Sequence, residues 1–175
     1  MANIIDFSQH FSKRGDIVMK KVSIFDVAKY FLSLADNEAE SFITPLKLQK
    51  LMYYAQAWSL VWDGQPLFDD EFEAWAHGPA NPELYQQYKR HGWLPIPCEG
   101  DYDCSLFSED QLDTMNIVWD AYGKYDAKYL ESLTHREAPW LDARGECGPG
   151  ERCSNLISKE SMKNYYYSLL DEEEE

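Results

Sequence analysis

Apolar residues recur at three- and four-residue intervals over residues 48–62, and this spacing predicts an amphipathic α-helix. Thr44 can cap the first turn, and Pro45 suits the first helical position, where its missing N–H costs nothing. Gly64 favours an end near Asp63. We expect the apolar stripe to face the core, and it consists of Leu48, Leu51, Met52, Ala55, Trp58 and Trp62.

Similar spacing predicts further helices on both sides of this one, each with its own start signal. Asn81 with Pro82 repeats the cap-then-proline start, and Ser108 with Gln111 forms a capping box. Inward faces are expected to include Leu84, Tyr85 and Tyr88; Leu112, Met115, Trp119 and Tyr122; and Tyr129, Leu130 and Leu133. The predicted helices cover residues 23–36, 44–63, 82–91, 108–122, 126–136 and 158–170.

Residues 67–76 alternate apolar and acidic positions, a pattern that permits a short strand. A single strand needs a partner, and the candidates are extended pieces at 93–97 or 103–107. The predicted fold class is therefore mainly α: a compact helical domain of about six helices with at most a short β-hairpin or extended segment.

The chain of 175 residues fits one domain with an extension at each end. We predict an N-terminal extension over 1–21, a helical domain over 22–170 and a solvated acidic tail over 171–175. No stretch approaches the roughly eighteen consecutive apolar residues of a membrane span, and the N-terminus lacks a signal-peptide pattern. These features predict a cytoplasmic protein without a membrane partner.

The charge is strongly acidic, with 31 acidic against 16 basic residues and a formal net charge of −15. Such a field repels phosphate backbones, so the sequence argues against a nucleic-acid partner. Acidity favours association with basic proteins, although it also simply keeps a protein soluble.

Four cysteines form two Cys-x5-Cys pairs, Cys98 with Cys104 and Cys147 with Cys153. Zinc sites usually space paired ligands two to four residues apart, and the cytosol keeps thiols reduced. We therefore expect free loop cysteines, no metal and no cofactor, although metal binding by these four thiols stays open.

Four segments, in order, resemble the Panacea antitoxin domain family: KLQKLMYYAQAW, GQPLFDDEFEAW, HGPANPELY and LTHREAPW. The resemblance covers roughly residues 22–170. The family that it points to includes antitoxins from phages and prophages. It implies an antitoxin that neutralises its cognate toxin by direct protein–protein binding, here by covering a basic active-site face. The family also implies a second partner, an ATP-dependent protease to which the antitoxin delivers the toxin as an adapter.

Partner-binding residues are predicted in two places. The side of the 44–63 helix opposite the apolar stripe is expected to be exposed, and its mixture of tyrosine with long polar chains is common at interfaces. Tryptophan and histidine beside Gly-Pro and Pro turns can fill the core or line a groove. The predicted partner-binding residues are Lys47, Lys50, Tyr53, Tyr54, Gln56, Trp75, His77, His135 and Trp140.

The alternative hypothesis is a small cytosolic hydrolase that uses His77 or His135 as its base. The other groups available to it are the acids Glu137 and Asp142 and the nucleophiles Cys104 and Ser59. No nucleophile elbow, HExxH or P-loop pattern is present in the sequence. We therefore predict a protein that is not an enzyme, in which each imidazole ties a turn to the helical core by hydrogen bonds.

Overall fold

A computed structural model describes residues 20–36, 41–98 and 100–171. Within this part of the chain there are seven α-helices and one small sheet, which confirms the predicted mainly α class. The helices are α1 (Ile24–Asp36), α2 (Pro45–Trp62), α3 (Pro82–Tyr88), α4 (Glu109–Tyr122), α5 (Ala127–Thr134), α6 (Ala138–Arg144) and α7 (Lys159–Asp171). The strands are β1 (Phe72–Trp75), β2 (Gly78–Ala80) and β3 (Leu156–Ile157). Most of the predicted N-terminal extension and acidic tail, residues 1–19 and 172–175, lies outside the described residues.

Helix α2 is the central element, and it packs against α1, α3, α4, α5, α7 and β2. Its predicted start is confirmed, because Thr44 Oγ1 accepts a hydrogen bond from Lys47 N at 3.3 Å and Pro45 occupies the first turn. It ends, as predicted, at Asp63. The apolar stripe faces the core, but so does the rest of the helix: every residue from Lys47 to Trp62 is buried.

The prediction of an exposed polar side on α2 is therefore wrong. Lys47, Lys50, Tyr53, Tyr54 and Gln56 are all buried. The reason is tertiary: α5, α7 and β2 cover the side that the sequence pattern leaves polar. A buried polar group needs a hydrogen-bond partner, so this side of α2 must be matched by other parts of the chain.

Two glutamines of α2 show how the match is made. Gln49 exchanges two hydrogen bonds with the backbone of Asn81, at 3.0 and 2.8 Å. Gln56 donates to Phe68 O at 2.8 Å and accepts from Leu67 N at 2.8 Å. These bonds fix the connection that leads from α2 into β1 and, beyond the β1–β2 hairpin, the start of α3.

Strand β1 is the middle strand of an antiparallel sheet with the order β2-β1-β3. Trp75 lies opposite Gly78 in the β1–β2 hairpin, and Phe72 lies opposite Ile157 on the other side. The sheet therefore joins residues that follow α2 to the segment that precedes α7.

The predicted strand within residues 67–76 is confirmed by β1, but the partners expected at 93–97 or 103–107 are wrong. The chain turns back after only two residues, because Gly78 takes a φ of +97° that other residues rarely adopt. Part of 103–107 forms a 3-10 turn, Cys104–Leu106, instead of a strand.

Local start signals are confirmed at α4, where both hydrogen bonds of the Ser108–Gln111 capping box are present. Two expected inward-facing residues are exposed instead, Tyr85 on α3 and Tyr129 on α5. These helices are short, and only one row of each, such as Leu84 on α3, packs inward. The outer row is left at the surface.

We predict that Gly78 is required by close packing as well as by its backbone angle. A Cβ at this position would lie 2.7 Å from both Lys50 Cε and Thr134 Oγ1. Gly78→Ala should lower the free energy of unfolding by about 3 kcal/mol, measured by urea denaturation. Gly64→Ala is the matched control, because its φ is also positive at +68° but nothing lies within 4 Å. It should cost about 1 kcal/mol, and equal losses in the two variants would contradict the role of packing.

Candidate functional site

A groove of about 360 Å³ lies between the start of α2, the β1–β2 turn and α3. We call it the aromatic groove, and its apolar walls include Leu46, Trp75, Leu84, Tyr85 and Trp93. The described residues that line it include Lys50, Lys89 and His77 but no carboxylate. This is unusual for a chain with 31 acidic residues, so the charge of the groove is opposite to that of the whole protein.

Two flanking hollows adjoin the groove and share different lining residues with it. One, of about 400 Å³, contains Phe42 and shares Leu46 and Trp93 with the groove. The other, of about 380 Å³, contains Arg152 and shares Trp75 with it. Because each flanking hollow shares lining residues with the groove, the three adjoin one another in one depression on the surface.

Large side chains at the rim are exposed to solvent. Trp93 is 76% exposed and Leu94 is 69% exposed, and Phe42 is also exposed. Lys128 Nζ lies 5.8 Å from the centroid of the Trp93 ring, within the range of a cation–π contact. Exposed tryptophan beside a groove is typical of protein-binding surfaces, where tryptophan and tyrosine contribute much of the binding free energy.

Lys50 lines the aromatic groove although it is only 1% exposed. Its ammonium donates a hydrogen bond to Pro79 O at 3.1 Å. Burial lowers the pKa of Lys50 to about 7, and the nearby Glu131 carboxylate only partly opposes this effect. Near pH 7 about half of the molecules therefore carry the charged form of Lys50, because its surroundings do not fully compensate the ammonium charge.

His77 lies at the edge of the groove and pairs with Glu131, not with the acids expected from the sequence. Its Nδ1 donates to Glu131 Oε1 at 2.8 Å, and Lys128 Nζ donates to the other carboxylate oxygen at 2.9 Å. Partial burial acts to raise the pKa of Glu131, but these hydrogen bonds hold it below its ordinary value. Both oxygens of Glu131 are thus already engaged.

His135 and Trp140, which belong to the LTHREAPW segment, pack against the turn between β1 and β2. Their rings stack with centroids 4.2 Å apart, and Trp140 Nε1 donates to Trp75 O at 2.9 Å. Burial lowers the pKa of His135, and a hydrogen bond to the Ala76 backbone acts in the opposite direction. Trp75, His77, His135 and Trp140 therefore gather at one junction, where the imidazoles connect the turn to α5 and α6.

Tyr53 and Tyr54 belong to a separate, closed cluster around Glu137. Tyr54 Oη donates to the two carboxylate oxygens at 3.2 and 3.1 Å, and Tyr166 Oη donates at 2.5 Å. Burial raises the pKa of Glu137 to about 7, although the hydroxyl hydrogen bonds favour the charged form. Burial and the carboxylate raise the pKa values of Tyr53, Tyr54 and Tyr166, so their hydroxyls stay protonated.

Two of the groups that the hydrolase hypothesis names, Ser59 and Glu137, are engaged in hydrogen bonds within the core. Ser59 is buried and its hydroxyl donates a hydrogen bond to Gln65 O at 2.9 Å. Glu137 accepts hydrogen bonds from the hydroxyls of Tyr54 and Tyr166. Cys104 is exposed in the turn before α4. The described contacts of Ser59 and Glu137 therefore favour structural roles.

The described residues show neither a metal-binding cluster nor a membrane-spanning helix. None of the four cysteines, all of which lie in the described residues, forms a disulfide, and the Cys147 and Cys153 sulfurs lie 2.7 Å apart. In the part of the chain that the structure describes, no group of three or more His, Cys, Asp and Glu side chains could hold a metal ion. Over the same residues, every helix is too short or too polar to cross a membrane.

Of the predicted residues, Lys50, Trp75 and His77 line the aromatic groove. The residues that sequence reasoning missed are Phe42, Leu46, Tyr85, Lys89 and Trp93. One signal for them was available: Trp93 follows Gly92 in a loop where no helical pattern predicts its burial.

Comparison with known proteins places the chain in a family of antitoxins. The family of SocA-like antitoxins with a Panacea domain matches residues 48–141, more than half of the chain, and the chain belongs to it. This confirms the resemblance found in the sequence. Antitoxin SocA of Caulobacter vibrioides (strain NA1000 / CB15N) is 44% identical over 50 residues, which cover 29% of this chain and only 27% of that relative. No solved structure shows significant similarity.

We predict that Glu137 makes stability fall as pH rises. Its pKa is about 7 in the folded protein against an ordinary 4.5, so the folded state binds more protons between these values. The contribution of Glu137 to the free energy of unfolding is therefore greatest below pH 4.5. It falls by about 3 kcal/mol as the pH rises from 4.5 through 7. Glu137→Gln should remove this dependence in urea denaturation curves recorded across the range.

The control for this measurement is Glu146→Gln, in an exposed loop position. It should retain the pH dependence of the unmodified protein. A Glu137→Gln variant whose stability follows the same pH curve as the unmodified protein would show that this carboxylate is not the group responsible.

Proposed function

We propose that this protein is an antitoxin that neutralises a cognate toxin by direct contact, with the aromatic groove at the centre of the interface. Family membership supports the antitoxin role. The observation that carries the choice of surface is Trp93, a tryptophan 76% exposed at the rim of a groove between two further hollows. Exposed tryptophan is costly to leave in water and is enriched at the centres of interfaces.

Such neutralisation needs no catalysis, because a bound protein can block the toxin's substrate from entering. A standard interface buries about 800 Å² on each partner, more than the groove alone can supply. The surroundings of the groove would therefore contribute the rest. The net charge of −15 would speed association with a basic toxin, while the groove itself would supply the short-range contacts.

The first test is co-expression with the product of the adjacent open reading frame, scored by growth rescue and co-purification. We expect both with the unmodified chain. Trp93→Ala should weaken the complex by about 2 kcal/mol, or roughly 30-fold in Kd, without loss of stability. Tyr167→Ala is the matched control, because Tyr167 is 45% exposed on α7 and does not line the groove.

The outcomes separate the role from the surface. No complex and no rescue with the unmodified chain would reject the antitoxin assignment. A complex equally strong in both variants would keep the antitoxin role and reject the groove. An adapter would in addition shorten the toxin's half-life only in protease-competent cells, whereas a pure blocker would leave toxin levels unchanged.

The hydrolase alternative predicts a different result for the histidines. His77→Ala or His135→Ala would abolish rescue while leaving the fold and the toxin complex intact. If the histidines serve the hairpin junction, any effect of these variants should instead accompany a lower melting temperature. Thermal unfolding and co-purification of the same samples distinguish the two.

A further inference from the structure

The charge of the aromatic groove indicates what kind of segment it accepts. Lys50, Lys89 and His77 line it, and the described lining contains no acidic side chain. In the chain as a whole acidic residues are in excess, with 31 of them against 16 basic residues. A groove with this lining attracts an anionic group and disfavours a cationic one.

Lys50 is the buried cation of the groove, and its hydrogen-bond acceptor is a backbone carbonyl and not a carboxylate. An ammonium has three N–H donors, and within the described residues its one hydrogen-bond acceptor is Pro79 O at 3.1 Å. The acid that acts on it, Glu131, already accepts hydrogen bonds from His77 and Lys128 with its two oxygens. A buried cation without its own carboxylate gains most from an incoming one.

The shape of the depression indicates an extended occupant. The groove adjoins both flanking hollows, one beside Phe42 and the other beside Arg152, and it shares different lining residues with each. A strand-like segment places successive side chains a few ångströms apart, so one side chain can enter the groove while its neighbours reach the hollows. The aromatic walls formed by Trp75, Tyr85 and Trp93 suit apolar neighbours.

We propose that the partner docks an extended segment along this depression, with an aspartate or glutamate side chain paired to the Lys50 ammonium and apolar residues in the flanking hollows. The inference rests on the proposed function, because the segment is taken to belong to the cognate toxin. It also specifies the chemistry of that segment, which family membership does not.

The test uses a displayed library of random twelve-residue peptides, selected on the full-length protein. Enriched peptides should share an Asp or Glu between apolar or aromatic residues. A selected peptide and its Asn or Gln counterpart are then synthesised, and their affinities are measured for the unmodified protein and for Lys50→Met. Lys50→Met keeps a long unbranched side chain and removes the charge, so it isolates the contribution of the ammonium to binding.

The four affinities form a double-mutant cycle. Loss of the acid should weaken binding at least 30-fold in the unmodified protein and less than threefold in Lys50→Met. Equal losses in the two proteins, or enriched peptides without a common acid, would overturn the proposal. Absence of any enriched peptide would also count against it, since the groove would then not bind extended segments.

Two further measurements test whether the peptide binds in the groove and whether the groove instead binds small anions. Trp93→Ala should weaken the selected peptide without lowering the melting temperature, so the test does not depend on a variant that alters a buried residue. ATP and inorganic phosphate serve as competing anions. If ATP binds in the groove while acidic peptides do not, the site is for a nucleotide and the peptide proposal is wrong.

Failure of this inference can be told apart from failure of the proposed function. The peptide selection does not involve the toxin, and co-purification does not involve the peptides. Capture of a toxin equally by the unmodified protein, Lys50→Met and Trp93→Ala would keep the antitoxin role and reject the docking mode. Acidic peptides that bind through Lys50 in a protein that captures no toxin would give the opposite result.

Discussion

The structure depends on one constraint: α2 is buried on every side from Lys47 to Trp62, although this stretch carries two lysines, two glutamines, a serine and two tyrosines. An unpaired buried polar group costs about 1–3 kcal/mol, so each of these side chains must find a partner in another segment. Lys47 donates to Gly123 O at 2.6 Å, Gln49 bonds to Asn81, and Gln56 bonds to the connection before β1. The helix thereby fixes three loops at once, and removing any one of these side chains would affect a distant turn as well as α2.

The same constraint explains why the groove lies where it does. Near the start of α2 the covering elements are β2 and the short α3, and Lys50 reaches the backbone of β2 at Pro79. Gly78 must lack a side chain there, because a Cβ would meet Lys50 and Thr134. Strand β2 and helix α3 are short, and the groove that remains beside them is lined by the buried Lys50 ammonium. Further along, α7 and the Glu137 cluster close the helix off completely.

Sequence reasoning succeeded where the signal is local. The cap at Thr44, the capping box at Ser108 and the strand within residues 67–76 are each encoded by a few adjacent residues, and all three are present. It failed where the answer depends on distant parts of the chain. Strand β3 joins the sheet across more than eighty residues, and the burial of Tyr54 depends on Glu137 and α7. Periodicity describes one helix at a time, so it cannot show that a polar side will be covered.

The candidate site shows the same division. Lys50, Trp75 and His77 were predicted for partner binding and line the groove, whereas Tyr53 and Tyr54 were predicted for the same reason and lie in a closed cluster. The difference arises because adjacent turns of α2 meet different neighbours. Loss of partner binding after substitution of the tyrosines would therefore report on the fold. A surface residue of the groove affects binding without that ambiguity, because little of the core rests on it, and such residues locate the interface most directly.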